Sequence, residues 1–366
     1  MMKARIVVGS NWGDEGKGTV VAKYSKDNGK TLNILTNGGA QRGHSVLTEN
    51  GSITYQHFGS GTCHNADTYY SPFFILNPMQ FAKEYAELIV KPKNVIRHPH
   101  CKWSTPYDMM ANAISEELRN RHASCGMGIW NTIKRYMETS PITLDRFYNH
   151  PIRMKLEYLN AVKSYYERSM TIPDNWKSVW HSDNIRLHFI EDCKFMVENT
   201  DVAMVEAFPN QYDNLIFENG QGLLLCDTGK DTYDTTPSNT GIKYAMSILR
   251  EMGLVDDKGI KNGNSLSLHY VTRPYLTRHG DGELQSQTLR SNLSRSVKED
   301  RTNIWNGFQG EFRYGHLDIG DLKERIEKDA RGLDYEVELT HCDEMDRVAE
   351  FNKVFKKVNI TDNPFV

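Results

Sequence analysis

The six cysteines of this 366-residue chain (Cys63, Cys101, Cys125, Cys193, Cys226 and Cys342) never fall into a Cys-x-x-Cys pair. Such scatter supports neither a disulfide scaffold nor a zinc module and reads as free thiols in a reducing cytosol. Long apolar runs are missing too, with no stretch near the ~18 residues a membrane-spanning helix needs. Charge of one sign is not in excess: 44 Lys and Arg stand against 47 Asp and Glu, which leaves no electrostatic footprint for sequence-independent binding of nucleic acid. Repeats and low-complexity tracts are absent. Met1–Arg5 leads straight into a strand-like segment rather than the apolar core of a signal peptide. The expectation is therefore a cytoplasmic protein, with no membrane or nucleic-acid partner. At 39% hydrophobic and 25% charged, the composition is that of an ordinary globular chain able to bury a sizeable core.

What is present is a series of short β-branched runs, each ending in a glycine-rich turn. Arg5–Gly9 reads as a buried parallel strand that enters Gly9–Gly18, followed by a helix over Thr19–Lys26. Leu32–Leu35 repeats the pattern before Gly38–His44, Leu215–Glu218 before Asn219–Gly222, and Leu266–Tyr270 reads as a further strand. Residues 105–200, poor in glycine and rich in helix formers, predict a helical middle region. The expected fold is α/β: a mostly parallel central sheet with helices on both faces and P-loop-like phosphate-binding loops at the strand ends. Asn210–Asn214 is only a mild boundary candidate, so one large domain over 1–366 is expected.

The chemistry concentrates in two turns. In Gly13-Asp-Glu-Gly-Lys-Gly18 the glycines free backbone N–H groups to face an anion, the following helix adds its dipole, and Lys17 adds a charge. The loop is not a standard P-loop, because Asn11 stands where the first glycine belongs and Gly18 where Ser or Thr belongs. Read blandly, it is a tight strand–helix turn with solvated charges; read functionally, the acids at 14 and 15 serve metal binding or proton abstraction. The second turn offers Gln41, Arg42, Gly43 and His44, where a loop histidine suits general acid chemistry or a transferring phosphoryl group. Trp103, Trp130, Trp176, Trp180 and Trp305 read as packing residues. His98, His100 and Cys101 complete no zinc spacing with Cys63-His64 or with His122 and Cys125.

Six segments in order resemble the adenylosuccinate synthetases: Trp12–Gly18, Gly38–Val46, Phe217–Leu225, Thr235–Thr240, Val271–Gly282 and Leu339–Asp343. The resemblance implies a ligase that phosphorylates the 6-oxygen of a purine nucleoside monophosphate from ATP or GTP with Mg²⁺, then displaces the phosphoryl group with the amine of L-aspartate. It implies Asp14 as the base and His44 as the acid, with Lys17 on the phosphates. Asn11, Gly13, Glu15, Gly16, Gly18, Gln41, Gln221, Thr236 and Arg278 would contact nucleotide or phosphate, as would Ser124 and Cys125 in a loop similar to the family's Thr-Thr-Gly-x-Gly. Asp343 would recognise the base of the triphosphate, and Asp14 and Gly43 would hold the metal. A homodimer is implied, with Arg135 considered for the arginine that family members lend across it.

The segment Gly307–Asp318 departs from the family's aspartate loop: Arg313, Gly315, Leu317 and Asp318 match, while the Thr pair and two arginines do not. Arg313 and Gln309 are the amino-acid contacts it offers, and Glu311 would repel a second carboxylate. His341 replaces the family's lysine, which makes ATP as plausible as GTP. The length resembles the short branch that includes archaeal enzymes and viral 2-aminoadenylosuccinate synthetases, so the choice between IMP and GMP or dGMP stays open. Also open are a related ligase using another amino acid, a nucleotide-binding module without catalysis, and a nucleoside monophosphate kinase, the last disfavoured by the missing Ser or Thr after Lys17.

Overall fold

Alternation along the first strand sets the layers. In β1 (Lys3–Gly9), Ala4, Ile6 and Val8 face one side of the sheet and Val7 the other, as the two-residue period of a strand requires. A computed structural model describes residues 2–48, 51–119, 124–227, 235–256, 259–261, 263–300 and 310–361. After β1 come β2 (Thr31–Leu35), β3 (Asp67–Tyr70), β4 (Val95–Arg97), β5 (Asp201–Val202), β6 (Asn214–Gly222), β7 (Ser265–Thr272), β8 (Tyr335–Leu339) and β9 (Val358–Ile360). They form a nine-stranded sheet in the order β5-β4-β3-β2-β6-β1-β7-β8-β9, and every neighbouring pair is parallel.

Helices Lys243–Glu251 and Ile319–Ala330 cover the Ile6–Val8 face, through Ile248, Leu249, Leu322 and Ile326. Helix Lys17–Ser25 covers the opposite face, setting Val20 and Val21 against Val7, Ile216 and Val271. The expected α/β class with helices on both faces is what the chain adopts. The middle region is helical as expected, with helices such as Pro106–Arg119, Ile129–Glu138, Ile152–Glu167 and Asp183–Glu198 packed around Trp103, Phe147 and Phe189. Among the described residues no helix is long and apolar enough to cross a membrane.

The four strands expected from the sequence lie within β1, β2, β6 and β7. Pattern reading passes over β3 and β8 because buried polar side chains interrupt them, and over β9 because it is only three residues long and half-buried at most. Asp67 in β3 accepts from Tyr212 and Asn94, and Glu338 in β8 accepts from Tyr24, His269 and Asn359. A buried charge so partnered is tolerated in a core strand, yet locally it looks like a loop.

The strand order reverses beside β1. From β1 the chain steps out to β2 and on to β5, returns to insert β6 between β2 and β1, then continues to β7 on the far side. Such a reversal parts the loops at the carboxyl edge and opens a crevice there. The glycine-rich turns after β1 and β2 leave that edge, whereas Asn219–Gly222, expected as a turn, continues β6.

Candidate active site

The loop after β1 is built around a buried carboxylate. Glu15 accepts from the backbone N–H of Asn11 (2.8 Å) and Gly13 (2.9 Å), and Lys17 Nζ donates to it at 3.0 Å. Both side chains are 2% exposed. The space beneath is kept by Gly9, where a Cβ would stand 2.5 Å from the Glu15 carboxylate and 2.6 Å from the Gln221 carbonyl. Asp14 has φ +59°, a left-handed conformation that aspartate tolerates better than most residues, and its side chain stays partly exposed. Desolvation first, then the Asp300 carboxylate, pushes Asp14 up to about 6, against the pull of Arg273 and Lys17.

His44 opens the hairpin His44–Thr48/Gly51–Tyr55, and its Nδ1 lies 2.5 Å from Glu218 Oε1 in β6. Glu218 also accepts from Ser60 N–H (3.0 Å) and Ser60 Oγ (2.5 Å), and Arg42 Nη2 is 3.0 Å away. Burial alone would raise Glu218, but Arg42 and these hydrogen bonds hold it well below the usual carboxylate range. An ionised Glu218 requires the proton of a neutral His44 to sit on Nδ1. Burial, reinforced by Arg42, lowers His44 to about 4. Gly18 stands where a P-loop has Ser or Thr because a Cβ there would lie 2.9 Å from the Ser45 carbonyl and 3.1 Å from His44.

These loops wall a cavity of about 910 Å³, lined by Gly13, Asp14, Glu15, Gly16, Lys17, Gly18, Gln41, Gly43, His44, Ser124, Cys125, Gln221, Thr236 and Arg278. Gln41 Nε2 and Oε1 and Gln221 Oε1 are buried there without a protein partner, and a Cβ on Gly38 would lie 3.2 Å from both amides. Converging unpaired amides are what a ligand-facing wall presents. Arg278 stacks its guanidinium 4.0 Å over Trp12, and Ser124 accepts from Asn112 at 2.9 Å.

Several expected contacts need correction. Asn11 turns away from the cavity: it donates to Thr272 Oγ1 (3.0 Å) and accepts from Arg325 (2.7 Å), so it knits strand ends instead of meeting phosphate. From the strand Phe312–Gly315, Arg313 donates to the carbonyls of Gly280 and Gly282 and to Gln287, bracing the turn after His279 and lying off the cavity wall. Asp343 lies off that wall, 3.8 Å from Lys298, while His341 of the same loop faces the cavity. Arg135 is enclosed, 1% exposed, with both arms of its fork 2.8 Å from Asp108, and cannot reach another subunit. Trp103 and Trp180 are core residues, but Trp130 lines the cavity and donates to the Thr235 carbonyl at 3.0 Å. Gln309 and Trp305 lie outside the described residues.

Sequence reading missed Glu218 and Arg273 as site residues. A charge directly after the apolar run Leu215–Phe217, within a buried strand, was the available signal for the first. For the second it was an arginine directly after the last residue of β7.

A profile of the family described as adenylosuccinate synthetase matches residues 6–357. Among curated proteins, the adenylosuccinate synthetase of Microcystis aeruginosa is 26% identical over 292 residues, 77% of this chain and 62% of that protein. That of Blochmanniella pennsylvanica is 24% identical over 279 residues, 69% of this chain and 60% of that protein. The chain thus spans about three-fifths of the length of these relatives. Two solved structures share the fold. The fully ligated adenylosuccinate synthetase of Plasmodium falciparum has a TM-score of 0.70 at 18% identity, covering 94% of this chain and 78% of that one. The cyanophage S-2L succinoaminodeoxyadenylate synthetase, bound to dGMP and dATP, has a TM-score of 0.65 at 12% identity, covering 99% and 92%.

Proposed function

This chain belongs to the adenylosuccinate synthetase family, and on that premise we propose that it is a C–N bond-forming ligase. In the proposed reaction the 6-oxygen of IMP or of a guanosine or deoxyguanosine monophosphate attacks the γ-phosphate of ATP or GTP. The amine of L-aspartate then attacks C6, and the oxygen leaves as phosphate, giving an adenylosuccinate or its 2-amino or deoxy counterpart. One observation carries the reading: Asp14, Lys17, His44, Gln221 and Thr236, brought from separate loops, line one cavity.

The residues suit the steps. Asp14, at about 6, is ionised at neutral pH and basic enough to take the N1 proton of a 6-oxopurine. Lys17 and the loop N–H groups lie where phosphates would be held. A phosphoryl group arriving beside His44 favours its protonated form, and Glu218 is placed to stabilise the imidazolium. The Asp14 carboxylate and the exposed Gly43 carbonyl are the oxygens that would hold Mg²⁺, both being of the hard-oxygen type this ion takes. A cation held by these oxygens would supply charge to offset that of the phosphates. By family likeness the assembly is a homodimer, which sedimentation would test.

A second reading, the same chemistry with another amino acid, is favoured by Arg313 being tied to Gly280 and Gly282. The test is phosphate release with IMP, dIMP, GMP and dGMP against ATP, dATP and GTP, with Mg²⁺ and L-aspartate, products being read by mass. An aspartate adduct is the expected outcome. Phosphate without an adduct selects the second reading, and no release in any mixture refutes the ligase.

A further inference from the structure

The loop after β7 carries a buried arginine that the reaction scheme above does not use. Arg273 follows Thr272, the last residue of β7, and is 5% exposed. Its Nε donates to the carbonyl oxygen of Asp14 at 2.6 Å. Its Nη2 meets the Asp300 carboxylate at 3.0 Å, and its Nη1 donates to Tyr275 Oη at 3.2 Å. Tyr275 in turn donates to Glu344, in the turn after β8. The guanidinium therefore ties the loop after β1 to Asp300 and, through Tyr275, to the loop after β8.

The contact to Asp14 falls on its backbone. Left-handed φ in a residue with a side chain is disfavoured and persists only where the surroundings enforce it. Here the enforcing group is a charge-assisted hydrogen bond from a side chain anchored to a central strand, stronger than a neutral one. The loop's other internal tie, Glu15, binds Asn11, Gly13 and Lys17 and leaves the Asp14 carbonyl to Arg273. Its fork cannot be copied by lysine, whose ammonium can serve Asp14 or Asp300 but does not reproduce the planar geometry that serves both.

We propose that Arg273 is a positioning residue that fixes Asp14 for proton abstraction and ties the loop after β1 to Asp300 and, through Tyr275, to the loop after β8. The proposal rests on the reading of Asp14 as the base, so its test has one readout that depends on activity and one that does not. Arg273→Gln is expected to lower kcat for phosphate release about 100-fold, the effect of misplacing a reacting group by about 1 Å, with nucleotide KM changed by less than about threefold. Arg273→Lys should recover part of that loss. Independently of turnover, amide hydrogen exchange in residues 10–16 and 340–344 should rise in Arg273→Gln, rise less in Arg273→Lys and stay at the wild-type level in β6. If Arg273→Gln does not fold, the lysine variant carries both readouts. Unchanged exchange in those two loops overturns the proposal whatever the activity, as does a uniform loss that lysine does not relieve. Wild-type protein with no turnover in any mixture, but with the exchange pattern intact, would refute the ligase reading and leave the locking role standing.

Discussion

His44 Nδ1 and Glu218 Oε1 stand 2.5 Å apart, joining the hairpin after β2 to the middle of β6 beneath the cavity. Glu218 is also the carboxylate facing Arg42, and both side chains are fully enclosed. Replacing Glu218 by Gln leaves the Arg42 charge buried without its counter-ion. The expected loss is about 3 kcal/mol of stability, in the range for a broken buried pair. Urea unfolding measures it, and an unchanged midpoint would show that the pair is not a structural one.

The Asp14 shift sets a pH dependence. A base must be deprotonated to work, so kcat/KM for phosphate release should rise with pH through about 6 and fall away below it. The sign for stability is the reverse. The folded-state value lies above the unfolded one, so the ionised residue destabilises the fold at neutral pH and the penalty fades as pH drops through 6. Asp14→Asn should therefore abolish turnover while raising Tm at pH 7, with the Tm gain shrinking at pH 5. Thermal melts at the two pH values decide it, and an equal gain at both would contradict the assigned shift.

Gly18→Ser would supply the Ser that a P-loop carries after its lysine, yet it should harm the protein. Its Cβ would come within 2.9 Å of the Ser45 carbonyl. Overpacking of this kind costs about 1–3 kcal/mol and would displace His44. Lower stability together with lower kcat is the expected result; improved nucleotide turnover would mean that the hairpin gives way freely.

Arg135→Met separates a structural arginine from one lent to another subunit. The buried fork onto Asp108 implies a stability loss of about 3–5 kcal/mol from the carboxylate left behind. Residual folded protein should keep its nucleotide KM. A normal Tm with raised KM would instead restore the role across a dimer.

By itself the sequence determined the fold class and the loops that carry the chemistry. A β-branched run that ends in glycines has few ways to fold other than a buried strand entering a tight turn, so β1, β2, β6, β7 and the residues Asp14, Lys17 and His44 could be read locally, while Gln221 came only from the family resemblance. Tertiary structure alone decided which polar groups face the cavity. Asn11, Arg135 and Arg313 carry suitable chemistry, but each is consumed by a partner distant in sequence. Glu218 and Arg273 gain their roles in the same way, through His44, 174 residues from Glu218, and Asp14, 259 residues from Arg273. A hydrogen bond depends on where two atoms meet in space, and a strand order that inserts β6 between β2 and β1 settles that meeting only once the whole sheet is assembled.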